Sequence, residues 1–567
     1  MKLPRLKNDI LRQKKYIINF GGLNKGVNAA EGELSECFNL SSFKQPYIYP
    51  RGKREETGDS FENATSFFAQ GDLCVVDGES FKYKAAGDTE FSEKMKVTAG
   101  RKQIARIGDM IIVLPDKKYY DVKNNKTGSI VGEMSLECGR NSYWWSINGG
   151  KNLEIWDKLA QYVPSDYQDK TQVLYGQIAA ELYKKGDTLD MRLGDMFSGT
   201  TGIYVAAVKA TVRNAVKTVD SAGITRYTMT FDDNTFRTLS GDVIQSAYGG
   251  TGTHIIKKTD VPDMKHMCTF GGRVWGTADN TIYASAYLDP LNFEKFDGLS
   301  GDSYYINCLS PGEFTGCAAY STHVCFFKEN TIHKIYGNRP SNFNMVEINA
   351  PGIETGSENF VANVRETLYY KSNQGICAYT GGMPTVILSG NFGSEQYTEA
   401  VGGSDGERLY FSMKNSSGEN ELFVFDPRYN LLHKEDNTKI FGAGMFNNDF
   451  YILNQAGKLC KVNEDAQRSG VKWSAVLSEF NEVINERKGY SRLQLRCELE
   501  EGAYMEVEVS VDGSPFKSVK TIAGTGQKTC SIALPTNRCD RFKIRLSGEG
   551  GCTVMNIVRE FITGSEV

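Results

Sequence analysis

The chain has 567 residues with 65 Lys and Arg against 69 Asp and Glu, so no chain-wide field draws it onto nucleic acid or an anionic membrane. Its 29 Tyr, 30 Phe and 58 Gly beside only 14 Pro suit many short aromatic strands joined by glycine turns, which predicts an all-β protein. The 13 cysteines are scattered without a C-x-x-C pair, so they imply neither a disulfide framework nor a zinc site.

Residues 1–60 read as an extended N-terminal arm, because turn chemistry is strong there and periodicity is weak. Six basic residues open it: Lys2, Arg5, Lys7, Arg12, Lys14 and Lys15. They suit DNA phosphates or an acidic protein groove, and equally a solvated tail. The interleaved Leu3, Leu6, Ile10, Leu11, Tyr16, Ile17 and Ile18 argue for burial against another subunit, since a solvated tail needs no apolar residues.

Two meander-like segments follow, from Ser66 and from Gln103. Residues 124–263 interrupt the pattern and read as an inserted β-rich domain with one helix. That helix is predicted from Leu174, Ile178 and Leu182, four apart, with Gly186 as its C-cap.

Five further meanders then begin at His266, Cys317, Phe360, Ala400 and Phe441. Aligned on their aromatic strands, they put Trp275, Phe326, Tyr369, Tyr410 and Tyr451 in register at steps of 51, 43, 41 and 41 residues. That period predicts a β-propeller of about seven blades over residues 61–123 and 264–470. Residues 471–567 change to longer alternating strands, with Met505, Val507, Val509 and Val511 facing one way, and predict a C-terminal β-sandwich.

No Walker-type loop, no H-E-x-x-H and no G-x-S-x-G occurs, so the common NTPase and hydrolase classes lose support. GGTGTH from Gly249 and FDDNTF from Phe231 read as turns, not as phosphate or calcium loops. SVDGSPF from Ser510 starts like a glycosidase Asp-box but reads as a hairpin turn. His323 and Cys325 sit two apart on a predicted strand and read as buried between sheets. No catalytic residue, cofactor or metal is assigned. Carboxylate pairs for glycoside hydrolysis leave no sequence spacing, so that chemistry stays open. No run approaches about 18 apolar residues and no signal peptide opens the chain, so neither a membrane span nor secretion is expected.

Asn19-Phe20-Gly21-Gly22-Leu23-Asn24, Asn39-Leu40 and Tyr49-Pro50-Arg51-Gly52 resemble the N-terminal signature of the packaged-DNA stabilisation and neck proteins of tailed phages. RVWGTADNTIYASAYLDPLNF from Arg273 and FKENTIHKIYG from Phe327 are similar to blades of such proteins. The resemblance implies a non-enzymatic virion protein, assembled in the bacterial cytoplasm, that forms a homo-oligomeric ring in the neck or tail. Its partners would be portal, neck or tail subunits, with local contact to packaged DNA. A receptor-binding or glycan-active propeller of the tail tip is the alternative.

Overall fold

A computed structural model describes residues 12–130, 261–296, 298–482, 485–534 and 538–563, and within 131–260 the backbone of ten strands. Its secondary structure there is strand throughout, apart from a 3-10 turn at Pro340–Asn342. The chain divides into two compact units, residues 129–261 with Leu291–Glu294 and the remainder.

In the larger unit seven antiparallel sheets of four strands follow one another, and they are called I to VII here. They span residues 64–96, 103–129, 266–307, 314–349, 361–387 and 397–436, and the seventh is built on 440–462. The first six are plain meanders. In the seventh the fourth strand comes from upstream: β3 (Glu55–Ser60) pairs with Lys458–Val462. Neighbouring sheets pack face to face, because each is apolar on both sides. Trp275 and Ile282 of III meet Val324 and Phe326 of IV, while Cys325 and Phe327 of IV meet Leu368 and Tyr370 of V. Cys74 and Phe81 of I meet Ile111 and Val113 of II. Leu73 and Val75 of I meet Phe446 and Leu453 of VII, so the last sheet packs back on the first. The arrangement is propeller-like, with the first strand of each sheet innermost.

The five aligned aromatic residues all lie on the second strand of their sheet, but one is turned over. Trp275, Tyr369 and Tyr451 stand two residues beyond a two-residue turn and face the following sheet. The turns before Val324 and Leu409 have four residues, and there the equivalent position lies one residue nearer the turn. Tyr410 satisfies that rule and Phe326 does not; Cys325 holds the equivalent place, and Phe326 points back onto Trp275, with ring centroids 6.1 Å apart. A one-residue slip reverses a side chain's face.

Over the described residues 12–60 the chain does not form an extended arm. β1 (Arg12–Ile17) adds to Cys552–Ile562, and β2 (Leu34–Phe38) adds to Lys472–Leu477. These two strands complete a sandwich with sheets of four and five strands. Ile17, Phe20, Leu23, Leu34, Leu40 and Ile48 are buried in its core beside Leu495, Val507 and Phe561. Of the apolar residues that argued for a foreign partner, Ile17 is buried within the chain, Tyr16 and Ile18 are exposed, and Leu3, Leu6, Ile10 and Leu11 lie outside the described residues.

Two boundaries shift as well. Lys126–Ser129 is the fourth strand of sheet II, so the insert begins after it and not at residue 124. In the insert, ten strands form one sheet, and Gln172–Gly176 is a strand paired with Thr225–Phe231 where a helix was expected. Leu174 lies in that strand; Ile178, Leu182 and Gly186 lie outside the described residues. The segment QVLYG also alternates, and cross-strand pairing on both sides decided between the two periods.

Candidate functional site

Of the six basic residues proposed for partner binding, Lys2, Arg5 and Lys7 lie outside the described residues. Arg12, Lys14 and Lys15 sit on β1. Alternation along the strand sends Lys15 inward and leaves Arg12 and Lys14 on the outer face. Lys15 reaches the carboxylate of Glu482 at 2.9 Å, and Arg12 lies 3.7 Å from Glu560.

Glu482 anchors a buried cluster that no motif announced. Arg559 donates to its two oxygens at 2.6 and 3.1 Å, and the Tyr490 hydroxyl donates to it at 3.1 Å. Arg559 also reaches Glu31 at 2.7 Å, which ties the loop between β1 and β2 to the last strand. Burial pushes the Glu482 carboxyl up, but Arg559 and Lys15 outweigh it and hold the group below the ordinary glutamate range. The cluster is structural: it joins the two ends of the chain.

The motif residues of the N-terminal signature serve a second joint. Leu23 N–H donates to the Leu432 carbonyl of sheet VI at 2.6 Å, and Asn39 N–H donates to Glu435 at 2.7 Å. The Asn39 amide donates to the Lys472 carbonyl of the sandwich, while its oxygen accepts from Arg51 at 2.8 Å. Asn39 takes φ 55°, a left-handed conformation that asparagine tolerates better than most residues. Arg51 and Arg54 then meet Glu435 and Asp436. Burial raises the Asp436 carboxyl, and the two arginines with Thr438 bring it below its ordinary value.

A cavity of about 310 Å³ opens among the first strands of sheets I to V. Glu358 is the one carboxylate in its lining; the amides of Gln70, Gln103, Asn359 and Asn363 supply most of the other polar groups. On the VI and VII side the first strands approach backbone to backbone. A Cβ on Gly403 would meet the Ala443 carbonyl oxygen at 2.1 Å, and one on Gly444 would meet that of Ala69 at 2.8 Å.

The remaining sequence candidates fall on structural roles. His323 lies in the turn before Val324–Lys328, its Nε2 2.6 Å from the Tyr379 hydroxyl, and burial lowers it to about 4. Burial pushes the Cys325 thiol up to about 12, which removes thiolate nucleophilicity at neutral pH. Ser510 to Phe516 is a hairpin turn whose Asp512 accepts from the N–H groups of Asp540 and Arg541, both at 2.9 Å. GGTGTH and FDDNTF lie in the insert, mostly outside the described residues. Among the described residues no three His, Cys, Asp or Glu side chains converge as metal ligands would.

No known protein family and no curated protein matches this chain. Among solved structures, exo-β-1,3-galactanase from Phanerochaete chrysosporium is similar over 52% of this chain and 95% of its own, at 10% identity and a TM-score of 0.19. Raptor from Chaetomium thermophilum is similar over 74% of this chain and 29% of its own, at 10% identity and a TM-score of 0.29. Neither likeness carries a functional argument.

Proposed function

We propose that this chain is a structural, non-enzymatic subunit of a tailed-phage particle, built on a seven-bladed propeller and assembled as a ring in the neck or tail. The seven meanders are its blades, and β3 closes the ring of blades by completing the last one, a closure that leaves no blade short of a strand. One observation carries the reading. The residues that resemble the phage signature, Asn39, Arg51 and the Leu23 segment, are spent on joining blade VI to the sandwich, as an architectural protein requires. Its partners are then portal, neck or tail subunits, with packaged DNA as a local neighbour.

Mass spectrometry of purified particles from the phage-producing host tests it. The expected result is this chain in a fixed ratio to the major capsid subunit. Its absence from particles in which the other structural subunits are found would sink the reading.

A further inference from the structure

We infer that copies of this chain join head to tail through two oppositely charged sheet edges, β1 of one copy against β3 of the next; this rests on the ring-forming reading above. Both strands stand at the outer edge of their sheet, β1 beside Cys552–Ile562 and β3 beside Lys458–Val462. Each therefore presents backbone groups to whatever lies alongside. β1 reads RQKKYI and carries Arg12, Lys14 and Lys15; β3 reads EETGDS and carries Glu55, Glu56 and Asp59. Among the described edge strands these two hold the largest positive and the largest negative charge.

Charge on an edge strand is an ordinary guard against unwanted pairing, so the pattern must be weighed contact by contact. Two β1 edges repel each other, and so do two β3 edges. Only the mixed pairing is attractive. The charges thus disfavour the contact of either edge with its own copy and favour the mixed contact, the one a head-to-tail ring repeats. A purely defensive edge has no use for exposed apolar side chains, yet Tyr16 is 64% and Ile18 59% exposed on or beside β1. Tyrosine and arginine are enriched at interface centres, and β1 carries Tyr16 beside Arg12. Lys14 and Glu55 have no ion pair with another described residue and are exposed, whereas Glu56 is paired with Lys458 and Asp59 with Lys84. Those two are the charges left over for a neighbour.

Sedimentation velocity of the full chain at low and high salt tests the inference, with Lys14→Glu and Glu55→Lys made separately. The unsubstituted chain should form a closed oligomer, and each reversal should weaken association about tenfold or more at low salt, less at high salt. Mixing the two variants in equal amounts should restore the oligomer, because the reversed β1 of one then meets the reversed β3 of the other. Lys14→Gln and Glu55→Gln should fall between, which guards against a misfolded reversal. A chain monomeric at about 100 µM overturns the inference, that being far above the micromolar range of ordinary interfaces. An oligomer indifferent to both reversals, or one the mixture does not restore, overturns it too. The second outcome leaves the ring itself standing, and presence in particles is decided by mass spectrometry whatever the edges do.

Discussion

Sheets III to VI are each made from one uninterrupted stretch of chain, whereas sheet VII and the sandwich are each completed by strands from the opposite end. The difference is one of loop closure. Thr57 reaches its partner across 402 residues, its hydroxyl donating to the Leu459 carbonyl, while a hairpin within sheet IV closes over a four-residue turn. Bringing ends together across roughly 400 residues instead of 40 costs about 2 kcal/mol more in chain entropy. β3 contributes little burial to offset this, since all six of its residues are exposed or half-buried. The compensation lies on either side of it: Phe61 is buried against sheet I, and Arg51 and Arg54 hold Glu435 and Asp436. β3 is fixed by clamps at its flanks, whereas the local strands, like β2, are fixed by the faces they bury.

That contrast can be broken most directly at Glu482. Glu482→Ala leaves the buried Arg559 with only the partly exposed Glu31 as counter-charge, and removing a fully buried partner ordinarily costs about 3–5 kcal/mol, an upper bound here. Hydrogen exchange should show lost protection in β1, β2 and Cys552–Ile562 with sheets III to V unaffected; uniform loss throughout would mean that the two regions are one cooperative unit.

The converse perturbation is acid. Burial lowers His323 and His433 from 6.5 to about 4, so each binds its proton less readily in the folded chain than in the unfolded one. The unfolded state therefore gains protons as pH falls, and stability present above about 6.5 is lost progressively toward about 4. By pH 5 each group should have cost about 1–2 kcal/mol. Denaturation midpoints at pH 7.5, 6 and 5 check this, and His433→Gln should flatten the slope.

Gly403→Ala should cost about 1–3 kcal/mol, because the added methyl meets a carbonyl oxygen of the adjoining first strand. The expected loss is confined to sheets VI and VII, and a midpoint equal to that of the unsubstituted chain would show that these strands can separate freely. The smallest effect belongs to Lys14→Ala, whose side chain is exposed on β1: within about 0.5 kcal/mol of no change in stability. A larger loss would mean that Lys14 belongs to the clamp.

The same contrast marks what was legible in the sequence. Meanders announce themselves, because each hairpin's two strands and its turn are adjacent in the chain, and Trp275, Tyr369, Tyr410 and Tyr451 were recognisable by spacing alone. Phe326 was misplaced by one residue because a four-residue turn and a two-residue turn look alike until the pairing is known. β1, β2 and β3 were read as an arm because RQKKYI and EETGDS carry no apolar alternation; their strand character comes wholly from partners hundreds of residues away. Glu482 and Arg559 were invisible for the same reason, since nothing near either residue hints at the other.

The upstream origin of β3 also sets an order of events on the ribosome. At about 5–20 residues per second, synthesis of the roughly 400 residues between β3 and its partner strand takes about 20–80 s. During that interval sheets I to VI can form as they emerge, but the basic β1, the apolar β2 and the acidic β3 wait upstream for partners not yet made. Neighbouring ribosomes on one message hold many such strands close together. The opposite charges of β1 and β3 make premature capture between chains a hazard of synthesis.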